Sequence, residues 1–173
     1  MQFRKATADD IKHICIMYSF IHTAEECGIL NTGWTREIYP TPDTAKDALK
    51  RGDLFVCEKD ERIVASAIIN RIQVDVYKDA PWQYEATDDE IMVLHTLVVS
   101  PDLRGNGFGK AFVEFYENYA KESGAKYLRM DTNEKNTKAR EFYKSLGYNE
   151  IAIVPCKFNG IPDVNLVPIE KKI

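Results

Sequence analysis

The 173-residue sequence has little of what a stapled or metal-held domain needs. Its four cysteines (Cys15, Cys27, Cys57 and Cys156) show no paired spacing, and its three histidines (His13, His22 and His95) stand apart. That pattern points to neither a disulfide framework nor a zinc site, so no metal is expected and the thiols read as reduced, as in a cytoplasmic protein. Positive charge is not in excess: 23 Lys and Arg against 27 Asp and Glu give a formal net charge of −4. No general polyanion-binding face follows, and nucleic acid is not an expected partner. The opening Met-Gln-Phe-Arg-Lys has no secretory pattern, and no stretch approaches the ~20 apolar residues that cross a bilayer. A membrane partner is therefore not expected either. Internal repeats and low-complexity linkers are absent, so residues 1–173 are expected to form one domain, long enough to bury a core without staples.

Periodicity then sets out the elements. A short strand around Gln2–Arg4 leads to Thr7-Ala8-Asp9-Asp10, where Thr7 suits a helix cap and Asp10 its first turn. Ile11, Ile14, Cys15, Tyr18 and Ile21 recur at helical spacing. Gly28 and Gly33 bracket an irregular segment holding Trp34 and Tyr39, and Thr41-Pro42 opens a second helix that Gly52 stops. Strands are predicted over Leu54–Glu58, Ile63–Val76 and Ile91–Val99, with Lys59–Arg62 as a hairpin turn and Tyr77–Asp89 as a polar, aromatic connection. The stretch Ile91–Val99 is apolar on both faces, as a central buried strand would be. A helix follows with Phe108, Ala111, Phe112, Phe115 and Tyr119 on one stripe, ending at Gly124. Tyr127–Asp131 reads as a strand, Thr137–Leu146 as a helix, and Ile151–Val154 and Val164–Ile169 as closing strands. The order β-α-α-β-β-β-α-β-α-β-β predicts an α/β (α+β) fold, a mixed sheet with helices on its faces.

Two stretches carry chemistry. In the first, Val98-Val99-Ser100-Pro101-Asp102-Leu103-Arg104-Gly105-Asn106-Gly107-Phe108-Gly109-Lys110, a strand end runs through a glycine-rich turn into a helix. The first N–H groups of a helix lack intrahelical partners and carry the positive end of its dipole, so they suit a phosphate. A dinucleotide fingerprint is excluded because Lys110 stands where its third glycine belongs; a P-loop is excluded by Arg104 and Ala111. The second stretch is Asn136-Thr137-Lys138-Ala139-Arg140-Glu141-Phe142-Tyr143-Lys144-Ser145-Leu146-Gly147-Tyr148, whose Ala139, Phe142, Tyr143 and Leu146 share a helical face. It begins 27 residues after Gly109, across one helix and one strand.

Together, Arg104-x-x-Gly107-x-Gly109 and Asn136-x-x-Ala139-x-x-Phe142-Tyr143-x-x-x-Gly147-Tyr148 resemble the two signatures of the GCN5-related N-acetyltransferase (GNAT) superfamily. The resemblance covers Ile91–Tyr148 well, the N-terminal half by element order, and the last strands loosely. It implies a mostly antiparallel central sheet with splayed middle strands and helices on both faces. It also implies acetyl-CoA as donor and direct attack by an amine on the thioester, without a covalent acetyl-enzyme. Backbone groups of Leu97, Val98 and Val99 would meet pantetheine, and the N–H groups from Arg104 through Gly105, Asn106, Gly107, Phe108 and Gly109 to Lys110 would hold the pyrophosphate. Arg104 and Lys110 would add charge, and Asn136 would bond the pantetheine arm or nearby cofactor. Tyr143 would donate a hydrogen bond or proton to the leaving thiolate, although a core tyrosine beside Phe142 is the plainer reading of the same spacing.

The base is open. At one position that the family commonly uses stands Val93, which cannot serve; two residues on, His95 matches a position where some members carry a base acting through water. Glu90 competes but begins the strand, about 16 Å from His95, and water is the third choice. Acceptor recognition is implied to come from the early helices and the strand connections, where Trp34, Tyr39, Trp82, Tyr84, Asp79, Glu85, Asp88 and Asp89 suit a cationic amine. A small-molecule or amino-acid-like amine is the expected acceptor. A peptide or protein N-acetyltransferase and a non-catalytic acyl-CoA-binding regulatory module are the alternatives. A homodimer is open as well, since Val164–Ile169 is able to pair within one chain or across two.

Overall fold

A computed structural model describes residues 1–173. Its strands are β1 (Gln2–Lys5), β2 (Leu54–Lys59), β3 (Arg62–Asn70), β4 (Ile91–Val99), β5 (Tyr127–Asn133), β6 (Asn149–Glu150), β7 (Val154–Phe158) and β8 (Ile161–Lys172). The helices are α1 (Ile11–Glu26), α2 (Pro42–Arg51), α3 (Phe108–Glu122) and α4 (Thr137–Ser145). The strands form one sheet in the order β1-β2-β3-β4-β5-β8-β6, with β7 also paired to β8. Every pairing is antiparallel except β4 with β5. On one face α3 and α4 pack through Phe112, Tyr116, Ala120 and Tyr143 onto Met92, Leu94, Leu128 and Met130. On the other, Ile14, Met17, Tyr18 and Ile21 of α1 join Ala45 and Ala48 of α2 over Leu54, Val56 and Ile68. The alternation of β2, β3 and β4 side chains between these two cores explains why these strands are apolar on both faces.

Local sequence decides the element ends. Thr7 and Asp10 form a reciprocal capping box ahead of α1, Thr41 and Thr44 do the same for α2, and Gly52 closes α2 in the left-handed region at φ +74°. Asp10 has a further partner: Arg4 donates to its two oxygens at 2.7 and 3.0 Å, and also to Glu58 at 2.7 Å, tying β1 to β2 and to α1. The Arg4 guanidinium holds the Asp10 carboxyl down at about 2, against 3.8 ordinarily. A carboxylate depressed by folding stabilises fully above its unfolded pKa and loses that contribution as pH falls through the folded one. Stability is therefore expected to drop by about 2 kcal/mol between pH 4 and pH 2 on this account. Urea unfolding midpoints across that window check it: Asp10→Asn should flatten the slope, and an equal slope in both proteins would remove Asp10 as its source.

Three predicted elements differ. The strand expected over Ile63–Val76 stops at Asn70, because the Asn70 side-chain oxygen accepts from Ile72 N at 2.8 Å and turns the chain. Val74 and Val76 still face inward, but from a loop and a 3₁₀ turn over Asp75–Asp79. The closing strand expected at Ile151–Val154 is split into β6 and β7, since β8 offers Pro168 there, which has no N–H to extend the ladder. On α3 the fully buried stripe is Phe108, Phe112, Tyr116 and Ala120 with Val113, while Phe115 and Tyr119 lie at its edge against Phe3 and Phe55.

Candidate functional site

The site begins where β4 and β5 part. Their parallel pairing runs only from Ile91 opposite Tyr127 to Val93 opposite Arg129. Beyond it β4 remains bonded to β3 but has no partner on its β5 side. At this fork sits Tyr116 of α3, wholly buried, donating its hydroxyl to the Met92 carbonyl at 2.7 Å with the Arg129 carbonyl at 3.3 Å. A bulge follows in β4, where Thr96 takes φ +51° between His95 and Val98. Splay and bulge together open a cavity of about 920 Å³, within the usual range for a small-molecule or cofactor site.

One end of this cavity has the geometry of an anion cradle. Gly107 caps α3 at φ +79° and ψ 0° with no side-chain bond, a conformation only glycine takes without strain. The first backbone bond of the helix runs from Ala111 N to the Gly107 carbonyl at 3.0 Å, so the N–H groups of Phe108, Gly109 and Lys110 have no intrahelical acceptor. A methyl group at Gly105 or Gly107 would meet nothing within 4 Å. The space above this loop is thus open, and the glycines answer to backbone angle rather than packing. Arg104 and Lys110 belong to this loop, and Lys135 and Lys138 also line the cavity.

The predicted site residues distribute as follows. Leu97, Val98 and Val99 of β4 line the cavity beyond the fork, as do Arg104, Gly105, Gly107, Phe108, Gly109, Lys110, Asn136, Tyr143 and His95. The Phe108 ring is buried in the core, so this residue offers backbone alone. Asn106 is the exception among the loop residues: it does not line the cavity, and its side chain donates to the carbonyls of Leu103 and Arg104. The Asn136 oxygen accepts from Ala139 N at 3.3 Å and so caps α4, which leaves its amide hydrogens for a ligand.

Tyr143 lies on the inward face of α4, nearly buried, its ring at 5.9 Å from that of Tyr148. Burial pushes its phenol well above the ordinary value of 10, and the charge of Asp131 adds to the shift. It therefore holds its proton at neutral pH. His95 is held by Asn70, whose amide donates to Asp53 at 2.8 Å and so presents its oxygen to His95 Nε2 at 3.1 Å. That orientation makes Nε2 the donor and leaves Nδ1 as the ring's lone-pair nitrogen. Burial lowers the His95 pKa to about 4, which keeps the ring neutral at pH 7 but makes it a weaker proton acceptor than an ordinary imidazole. Glu90 is not at the site: it accepts from Lys126 at 2.6 Å and caps the 3₁₀ turn at Thr87.

The other end of the cavity corrects the expected acceptor residues. Trp34 and Tyr39 line it, with ring centroids 6.0 Å apart. Trp82 and Tyr84 do not: Trp82 packs against Tyr77 and under Arg129, and Tyr84 stacks on Tyr127. Asp79, Glu85, Asp88 and Asp89 also lie away from the cavity. In their place stand Asn70, Thr96, Phe158 and Asp131, none of which was expected there. The Tyr39 hydroxyl bonds Thr96 at the bulge. Glu25 of α1 binds the backbone N–H groups of Thr32 and Gly33 at 2.7 and 2.9 Å, and this clamp seats the loop carrying Trp34 against Asn133. The one sequence signal for Asp131 is its place in Tyr127-Leu128-Arg129-Met130-Asp131-Thr132-Asn133, where Arg129, Asp131 and Asn133 alternate with Leu128, Met130 and Thr132.

The sequence profile of the acetyltransferase (GNAT) family matches residues 19–148. An uncharacterized N-acetyltransferase of Methanocaldococcus jannaschii is 32% identical over 100 residues, 58% of this chain but 40% of that protein's length. Among solved structures, a GNAT-family acetyltransferase from Streptococcus agalactiae superposes with a TM-score of 0.80 at 21% identity, covering 99% of this chain and 95% of that one. A ribosomal-protein-alanine N-acetyltransferase from Brucella melitensis superposes with a TM-score of 0.72 at 17% identity over 100% of both chains. At such identities these two likenesses speak for the fold, a mixed, mostly antiparallel sheet with helices on both faces.

Proposed function

The chain belongs to the GNAT acetyltransferase family, and from that premise we propose that it moves an acetyl group from acetyl-CoA to the primary amine of a small or amino-acid-like acceptor. The observation that carries this reading is the single cavity that joins a cationic anion cradle at the start of α3 to an aromatic chamber holding Asp131, with Tyr143 opening into it. The pyrophosphate would rest on the N–H groups of the Arg104–Lys110 loop, with Arg104 and Lys110 adding charge. Pantetheine would run along Leu97, Val98 and Val99 and meet the Asn136 amide. Fixed backbone donors suit such a ligand because little entropy is lost in ordering them.

In the transfer, the amine lone pair forms a C–N bond to the acetyl carbonyl as the C–S bond breaks. The sulfur leaves as a thiolate and takes the Tyr143 proton; water reprotonates the phenol. Nitrogen sheds its extra protons through water held at His95, so each ammonium consumed releases one proton to solvent. No acetyl-enzyme forms. Because His95 stays neutral from pH 5 upward, its titration should put no limb near pH 6.5 in the rate profile. His95→Ala is expected to lower kcat by about 10²-fold, the low end for a weak proton acceptor. An unchanged kcat and pH–rate profile in that variant would remove His95 from the mechanism.

The direct test of the activity is formation of an N-acetyl amine that requires both the protein and acetyl-CoA, followed by mass spectrometry. CoA binding without such a product in any amine mixture would favour the regulatory-module reading. A peptide acceptor is the second enzymatic reading, favoured by Ile29 and Ile72, which line the cavity yet are 65% and 54% exposed.

A further inference from the structure

Asp131 differs from every other charged group of the acceptor chamber in that no cation answers it. Asp47 is answered by Lys50 at 3.1 Å. Of the cations that line the cavity, Arg51 is tied to Asp53 at 2.8 Å, Lys110 lies 3.9 Å from Glu114, and Arg104, Lys135 and Lys138 make no ion pair with Asp131. Asp131 forms no ion pair, and its one hydrogen bond comes from the Tyr77 hydroxyl at 2.7 Å. Tyr77 is itself fixed: it is buried, packs on Trp82 at 5.0 Å, and is brought in by the Asp75–Asp79 turn. Asp131 is half-buried on the cavity wall, and a carboxylate partly withdrawn from water gains from a positive partner. Burial accordingly pushes Asp131 up to about 6, the Tyr77 bond opposing only part of that.

The neighbours of Asp131 describe what would meet it. Tyr39 and Tyr143 line the same cavity, and after burial the Asp131 charge is among the causes that push both phenols up, so a group bound to Asp131 shares the chamber with the proposed proton donor. Around it Tyr39 and Phe158 supply aromatic surface, and Val164 and Leu166 of β8 pack with Tyr77 as an apolar wall. With Asp47 answered by Lys50, Asp131 is the one carboxylate lining the cavity that lacks an ion pair, and beside aromatic and apolar walls it suits a single positive charge on an apolar body. It does not suit a polycation, which would need several acids, or an acidic ligand.

Resting on the acetyltransferase reading, we propose that Asp131 receives the ammonium group of the acceptor, and that the acceptor is a primary amine with an aromatic or apolar body. The ammonium supplies the missing counter-charge, and the body fills the space between Trp34, Tyr39 and Phe158. Held there, the nitrogen shares the cavity with Tyr143, and after it gives up a proton to water its lone pair is free to attack the acetyl carbonyl. Asp131 is thus the residue that selects charged amines over neutral molecules of the same shape.

The test uses 2-phenylethylamine and its neutral isostere 2-phenylethanol as probes, titrated calorimetrically into the full chain at pH 7. Wild type is expected to bind the amine at least about 10-fold more tightly than the alcohol, the size of a charge-assisted bond. Asp131→Asn should erase that preference while holding the alcohol equally well. The variant keeps an oxygen for Tyr77 and loses a desolvated charge, so its melting temperature should be no lower than that of wild type. The same amine preference in Asp131→Asn, or failure of wild type to prefer the amine, overturns the proposal. Because binding is read without turnover, the two failures separate. Amine preference without N-acetyl product contradicts the enzymatic reading and leaves the Asp131 site standing; acetyl transfer with an unaltered preference in Asp131→Asn overturns the site alone.

Discussion

Tyr143→Phe is expected to lower kcat for acetyl transfer by about 10²–10⁴-fold, the range that a positioned proton donor contributes. Acetyl-CoA affinity and melting temperature should stay as in wild type. The reasons are local. The ring is buried on the inward face of α4 and packs among Phe142 and Tyr148, contacts that phenylalanine reproduces. Burial and the Asp131 charge keep the phenol protonated through neutral pH, so the proton is present when a thiolate develops and is absent in the variant. The measurements are single-turnover acetyl transfer, calorimetric CoA binding and a thermal melt. Unchanged transfer with intact binding would exclude a necessary proton donor at this position. Parallel loss of stability would assign the residue to the core instead.

Arg129→Ala carries the largest expected effect on stability, a loss of about 3–5 kcal/mol. Arg129 and Glu170 form a bridge of 3.1 Å with side chains 5% and 0% exposed. The guanidinium also donates to Gln73 at 2.7 Å and to the Tyr84 carbonyl at 3.0 Å, and lies 4.0 Å over the Trp82 ring. Glu170 in turn accepts from Gln83 N at 3.1 Å. Removing the arginine leaves a carboxylate in the interior without a counter-charge and releases the 72–90 segment from the sheet. The urea midpoint measures the first consequence. Replacing both partners, as Arg129→Met with Glu170→Leu, should recover much of the loss, because the pair's own desolvation disappears with it. A single-variant loss under about 1 kcal/mol would mean the pair is screened as surface pairs are. The second consequence reaches the site, since the freed segment holds Tyr77 against Asp131; amine binding should weaken with acetyl-CoA binding unaltered.

The proposed donor half of the site was legible in the sequence and the proposed acceptor half was not, for a physical reason. An anion cradle made of backbone depends on a few adjacent residues: Gly105 and Gly107 at positive φ, a strand before them and a helix after. Such a device is written in one stretch of chain, and Asn136–Tyr148 repeats the advantage on α4. The acceptor chamber is assembled from Tyr39 before α2, Asn70 at the end of β3, Thr96 at the β4 bulge, Asp131 on β5 and Phe158 on β7. Only the sheet order brings these together, and no local pattern encodes it.

The aromatic, acidic segment 77–89 misled for the converse reason. Composition suited an amine site, but Trp82 and Tyr84 turn inward to cover the buried Arg129 and the half-buried Tyr127. Likewise Val74 and Val76 continue the alternation of β3, while the Asn70 side chain ends the strand before them. Fold class was legible because helical and strand periods alternate cleanly along the chain. The fork between β4 and β5 was expected only through family resemblance; its apex, Tyr116 across the Met92 and Arg129 carbonyls, leaves no trace in the pattern.

The central claim is that this cavity joins an acetyl-CoA cradle to a chamber for a small amine. It is tested most directly by acetyl-CoA-dependent thiol release across a panel of arylalkylamines, amino acids, polyamines and short peptides. The account predicts release that saturates with small primary amines bearing an apolar body and fails with their neutral isosteres. Release with peptides alone, or CoA binding with no release from any member of the panel, would contradict it.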